Sequence, residues 1–188
     1  IEARIVDLNS GKFTEEYDPA NFDQVSLTGS DATSIALEAS EDVAKILRRE
    51  NFSIVYFVKS EAGEIENVIL PIRGKGLWST MYGLLILEND LNTVAGVGFY
   101  QHGETPGLGG EIDNPNWQKT WVGKKVFDES GVPAFDIVKS KNPSLEQHQV
   151  DSLSGATLTS KGVAQAVQFW LSEKGFKTFL KNYANGEA

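Results

Sequence analysis

The chain contains no cysteine. That absence excludes disulfides, thiolate-bound metals and iron–sulfur clusters held by this chain alone. It leaves the compartment open, because a protein without thiols tolerates oxidising and reducing surroundings alike. Histidine is nearly as scarce: His102 and His148 are the only two, and they lie far apart in sequence. They give a transition-metal site little to build on, and no metal ligands are assigned. Positive charge is also short. Seventeen Lys and Arg face 26 Asp and Glu, a formal net charge of −9, and no basic run occurs. An acidic chain repels phosphate backbones, so nucleic acid is not an expected partner. The longest apolar stretches, such as Gly83-Leu84-Leu85-Ile86-Leu87, fall far below the roughly 20 residues that cross a bilayer as a helix. There is no Gly-x-Ser-x-Gly elbow for a hydrolytic serine. Nor is there a Gly-x-Gly-x-x-Gly after a strand, the usual device for a dinucleotide pyrophosphate. The chain starts at Ile1, so the expectation is a processed or truncated piece; whether a targeting or anchoring segment was removed is not readable from the residues alone.

What is present points to a sheet. Hydrophobic residues make up 40 % of 188, enough for a real core in one domain. Eighteen glycines and 10 % aromatics favour extended chain with tight turns over a helical bundle. A first strand is expected around Ala3–Leu8. Ser40-Glu41-Asp42-Val43 reads as a helix start, a Ser cap with acids in the first turn. Val43, Ile46 and Leu47 continue it at helical spacing, and Arg48 and Arg49 suit its C-terminal end. Four strands follow: Ser53–Val58, Asn67–Ile72, Met81–Leu87 and Thr93–Tyr100. The second ends near Pro71, which suits an edge or a bulge. Short turns between them imply antiparallel pairing. Asn114-Pro115 reads as a helix cap with Pro at the first position, and Ala134–Val138 as a fifth strand. Ser160 to Lys174 is the clearest helix, with Val163, Val167, Trp170 and Leu171 on one face. After Gly175, Phe176, Phe179, Leu180 and Tyr183 carry an apolar face onward. The expectation is an α+β fold with helices packed on an antiparallel sheet. Residues 1–39 are read as an N-terminal lobe packing on a main domain of residues 40–188.

Three segments carry chemistry. Asp151-Ser152-Leu153-Ser154-Gly155-Ala156-Thr157 sets small residues and hydroxyls just before the strongest helix. First-turn amides lack intrahelical partners, and the dipole adds positive charge there, so a phosphate is stabilised. Gly155 and Ala156 let a ligand approach the backbone, and Thr157 offers a hydroxyl. On residues alone a capped loop with no ligand is the commoner reading, since loops of Ser, Gly and Thr often precede helices. His102–Glu111, with four glycines after a strand, reads as a loop around a planar ligand or as a long hairpin loop. Gly74-Lys75-Gly76-Leu77-Trp78-Ser79 presents a Trp for stacking or for core packing. A serine hydrolase using Ser152 or Ser154 is the rival of another class, and a reversible FMN or phosphate-ester module is the nearer one.

Asp151 to Thr157 resembles the flavinylation motif of the FMN-binding domain family: Asp, two variable residues, Ser or Thr, Gly, Ala, then the acceptor. With Gly76-Leu77-Trp78-Ser79 and Gly103-Glu104-Thr105-Pro106-Gly107-Leu108-Gly109, the stretch from about residue 40 onward resembles the C subunits of sodium-translocating NADH:quinone reductases. The G subunits of Rnf complexes share the motif and are the alternative. The resemblance implies an electron-relay subunit of an oxidoreductase complex in a bacterial inner membrane, on its periplasmic side, with the family's N-terminal membrane helix absent. It implies one FMN as covalent cofactor, esterified through its phosphate to Thr157 by a Mg-dependent flavin transferase that takes the FMN from FAD. Asp151, Ser154, Gly155 and Ala156 complete that motif. Trp78, Thr105 and Leu108 are implied as walls of the isoalloxazine, and Lys139 as a contact to flavin or phosphate. No residue is implied as catalytic, the isolated domain is not expected to oxidise NADH, and the partners are the other subunits of the complex.

Overall fold

The computed structural model describes all 188 residues. The chain opens with β1 (Glu2–Asp7) and β2 (Lys12–Thr14), then passes through 3-10 turns at Pro19–Asn21 and Val25–Gly29. A short pair follows, β3 (Ser34–Ala36) and β4 (Arg48–Glu50). Four longer strands come next, β5 (Phe52–Lys59), β6 (Ile65–Lys75), β7 (Thr80–Glu88) and β8 (Val94–Gln101). These runs are rich in Val, Ile, Phe and Tyr, whose side chains fit a pleated, half-buried surface. They join β1 and β2 in one six-stranded sheet ordered β2-β1-β5-β6-β7-β8, antiparallel throughout.

Beyond the sheet lie a short helix α1 (Pro115–Lys119), the strands β9 (Asp136–Val138) and β10 (Gln149–Asp151), and the helices α2 (Thr157–Trp170) and α3 (Lys177–Ala184). Strands alternate their side chains between faces, and one face is sealed. Val55, Phe57, Val68, Leu70, Leu85 and Leu87 join Val163, Val167 and Trp170 of α2 and Phe179 of α3 in one buried cluster. Each such side chain contributes about 1.5–3 kcal/mol relative to exposure. Trp170 also donates its indole N–H to the carbonyl of Arg73 at 2.8 Å, pinning the end of α2 to β6. The α+β expectation holds.

Four local expectations are corrected. Residues 40–47 form no helix. The carboxylate of Asp42 instead accepts from the amides of Ile46 and Leu47 at 2.9 and 2.7 Å, a local alternative to helical bonding. Lys45 and Leu47 take φ of 55° and 65°, and the right-handed helix stops there. Arg48 and Arg49, expected at a helix end, stand in β4. Pro71 ends nothing: β6 runs on to Lys75 in the sheet interior. Its pairing with β5 ceases at Ile69, however, so Pro71 faces only β7, opposite Leu84. The fifth strand shrinks to β9, which lies outside the main sheet and pairs in parallel with β10. The main helix starts at Thr157 rather than Ser160 and ends at Trp170 rather than Lys174.

Candidate functional site

The head of α2 is delivered by a fixed strand. The backbone of β10 pairs with β9, and the pairing continues as Ser152 donates its amide to Val138 at 2.8 Å. The Trp117 indole N–H bonds the Asp151 carbonyl at 2.8 Å. The Asp151 carboxylate meets Lys141 at the surface, at 3.1 Å. Gly155 then turns the chain at φ +68°, a conformation that costs a residue with a side chain about 1 kcal/mol or more. Ala156 stands at the N-cap, and no side chain caps the helix. The amides of Thr157, Leu158 and Thr159 make no hydrogen bond to the chain. Three outward N–H groups and the positive end of a 14-residue helix are what a phosphate ester needs.

Two threonines in this turn differ sharply. Thr157 is exposed. Thr159 is 1 % exposed, and its hydroxyl donates to Oε2 of Glu104 at 2.6 Å. Ser160 is equally buried, and its hydroxyl accepts the Leu153 amide at 3.0 Å. Ser154 is exposed in the turn beside Gly155. Around Thr157 the surface is apolar: Leu158 is 59 %, Trp78 65 % and Leu108 46 % exposed.

The three segments singled out in the sequence converge here. The Leu108 side chain stands over Gly155, 3.2 Å from where a Cβ would lie. Thr105 is exposed, and its carbonyl accepts the amides of Leu108 and Gly110 at 3.1 and 2.8 Å, which curls the loop. Trp78 is joined to the same place through Glu104, which accepts its amide at 3.0 Å. Lys139 is exposed immediately after β9. It approaches the motif through the β9–β10 pair and makes no ion pair, whereas Lys141 holds Asp151. Close packing also brings α2 onto β6. Gly162 leaves no room for a Cβ, which would run into the Lys75 carbonyl.

Sequence reasoning missed Glu104 as a hub. It is 5 % exposed and accepts four hydrogen bonds, from the amides of Leu77, Trp78 and Ser79 and from Thr159. Burial pushes its carboxyl up, but the Thr159 hydroxyl and the three amides outweigh burial and hold it below the usual carboxylate range. The available signal was an acidic residue between the first two glycines of a Gly-rich loop that follows a strand. The hydrolase arrangement does not form. His102 bonds Asp113 at 2.7 Å and accepts the Glu104 amide, His148 bonds the Lys125 carbonyl, and neither ring meets a serine. Two recesses of about 390 and 500 Å³ lie elsewhere on the sheet, lined among others by Tyr56, Tyr82 and Pro71. Neither is lined by a residue of Asp151–Thr157 or by Trp78, Glu104 or Leu108, and the convergence at α2 outweighs their size.

Residues 76–172 match the family model of the FMN-binding domain. The chain is 53 % identical to the C subunit of the Na(+)-translocating NADH-quinone reductase of Pseudomonas aeruginosa, covering 100 % of this chain and 73 % of that protein. It is 50 % identical to the corresponding protein of Yersinia pestis, covering 99 % and 70 %. Among solved structures, Shewanella oneidensis NqrC superposes with a TM-score of 0.91 at 37 % identity, over 98 % of this chain and 84 % of that one. The counterpart from Parabacteroides distasonis gives 0.72 at 31 %, over 96 % and 77 %. A motif that converges at one helix head, a shared fold and identity over nearly the whole length agree: the chain belongs to the C subunits of the Na(+)-translocating NADH-quinone reductases, with an FMN-binding domain over residues 76–172.

Proposed function

We propose that Thr157 carries FMN through a phosphoester and that the domain relays electrons between other subunits of a membrane-bound NADH-quinone reductase, on the periplasmic side. The observation that supports this best is the contrast at the head of α2. Thr157 offers a free, exposed hydroxyl beside uncapped amides, while the hydroxyl of Thr159 is sealed against Glu104.

When bound, the flavin supplies one- and two-electron chemistry. The residues of this chain hold and shape. The amides of Thr157, Leu158 and Thr159 face the phosphate, and Gly155 and Ala156 keep the approach clear. Ser154 adds a hydroxyl at the turn, and Lys139 supplies a cation near the phosphate or the ring edge. Asp151, through Lys141 and its carbonyl bond to Trp117, anchors the motif. Trp78, Thr105 and Leu108 wall the ring, and their exposure leaves one edge open to a partner. Loops on a rigid sheet are where such contacts sit. Covalent attachment keeps a cofactor that solvent would otherwise wash away, and a flavin transferase makes the link.

Intact-mass spectrometry tests this. The protein co-expressed with its flavin transferase should carry one FMN less one water, on the tryptic peptide containing Leu153–Lys161. Fragmentation that sets the mass on Thr159 or a serine sinks the site. Flavin released on denaturation would leave a reversible FMN-binding module.

A further inference from the structure

Glu104 does more than fill a loop. Its Oε1 accepts the amides of Trp78 and Ser79 at 3.0 and 3.2 Å, and its Oε2 accepts the amide of Leu77 at 3.1 Å and the Thr159 hydroxyl at 2.6 Å. Three successive backbone N–H groups turned toward one anion form a nest, a geometry that usually receives a ligand. Here the chain supplies its own anion. The surroundings are cut to fit it. A Cβ on Gly76 would come within 2.7 Å of the Glu104 carboxyl carbon, and one on Gly109 within 3.0 Å of Oε2.

Four donors demand a group that only accepts, and an ionised carboxylate is the side chain that does so. A glutamine of the same shape has one acceptor oxygen and would turn an NH₂ toward the remaining donors. The partners are also the relevant ones. Leu77 to Ser79 carry the Trp78 wall, and Thr159 sits in the same first turn of α2 as Thr157.

We propose that Glu104 is the positioning residue of the flavin site: it locks the Trp78 wall to the helix turn that bears the attachment point, and as a buried negative charge there it lowers the flavin midpoint potential. This rests on the reading of FMN at Thr157. Glu104 touches no reacting atom. It acts through Trp78 and through Thr159.

The test uses Glu104→Gln and Thr159→Val, each as the whole chain, in two arms. In flavin-free protein, amide NMR reads the order of residues 77–79. Both variants should lose order there, Glu104→Gln more than Thr159→Val, with the rest of the sheet unchanged. In flavin-loaded protein, redox titration and flavin fluorescence anisotropy are measured. Glu104→Gln should raise the midpoint potential and lower the anisotropy, and Thr159→Val should lower the anisotropy by a smaller amount. If Glu104→Gln does not fold, Thr159→Val decides alone. Wild-type order at residues 77–79, or wild-type potential and anisotropy beside a merely lowered melting temperature, would overturn the proposal. A wild-type protein without flavin on Thr157 would sink the functional reading instead, and the first arm would still decide whether the clamp exists.

Discussion

Thr157 and Thr159 are two residues apart, and their surroundings assign them different work. Thr157→Ala should give colourless protein even beside the transferase, read by absorbance and intact mass. Its fold should persist, because a hydroxyl at a helix head rarely contributes more than about 1–2 kcal/mol. Thr157→Ser keeps the hydroxyl and should retain attachment. Gly155→Val should fail to load for another reason: a β-branched side chain resists φ +68° and would press on Leu108. Trp78→Ala should load normally yet shift the flavin spectrum or potential; if both stay put, Trp78 is ordinary surface. At this scale the sequence was legible where a motif is contiguous, as from Asp151 to Thr157. Glu104 escaped because its four partners come from residues 77–79 and 159, and nothing local in the chain announces them.

Among the elements, the long strands were legible because runs rich in β-branched, aromatic and other apolar residues are separated by short polar turns. The segment from Ser40 to Arg49 was not. Its cap-like Ser and acids obey helix grammar, but Asp42 spends its carboxylate on the amides of Ile46 and Leu47 and closes a loop. Asp42→Ala leaves both amides without that acceptor and should lower stability by about 1–3 kcal/mol in urea titration. An unchanged midpoint would mean the loop holds itself. The early start of α2 was also hidden, since Thr157 and Thr159 are poor helix formers and the bonds that hold this turn, between Ser160 and Leu153 and between Thr159 and Glu104, come from residues distant in the chain or outside the helix. Contact between α2 and β6 depends on Gly162. Gly162→Ala drives a methyl into the Lys75 carbonyl and should cost about 1–3 kcal/mol, as overpacking does, with loss of Gly76–Ser79 order. Denaturation and flavin loading measured together would reveal it.

For the whole molecule, acid is the informative stress. Glu104 and Asp90 both hold folded pKa values below their ordinary ones; burial opposes this, and the Thr159 and Thr93 hydroxyls with backbone amides prevail. A carboxylate with a depressed folded pKa stabilises the protein fully above its unfolded value, 4.5 for Glu and 3.8 for Asp. That contribution is lost as pH falls toward the folded value. Unfolding free energy should therefore drop as pH falls below these unfolded values, and Glu104→Gln should drop less; equal slopes would place the acid sensitivity elsewhere. With no dinucleotide fingerprint in the sequence, the isolated protein should not be reduced rapidly by NADH, and stopped-flow absorbance would decide it. No helix is long and apolar enough to cross a membrane, and the chain spans about three quarters of the Pseudomonas relative's length. The open hydroxyl at the head of α2 also bears on the order of assembly. On the proposed function, the transferase meets a finished surface on which one of two neighbouring threonines is offered and the other is already engaged. Loading can then follow folding, so purified colourless protein is a competent precursor, and the choice of threonine is made by the substrate's shape before the transferase arrives.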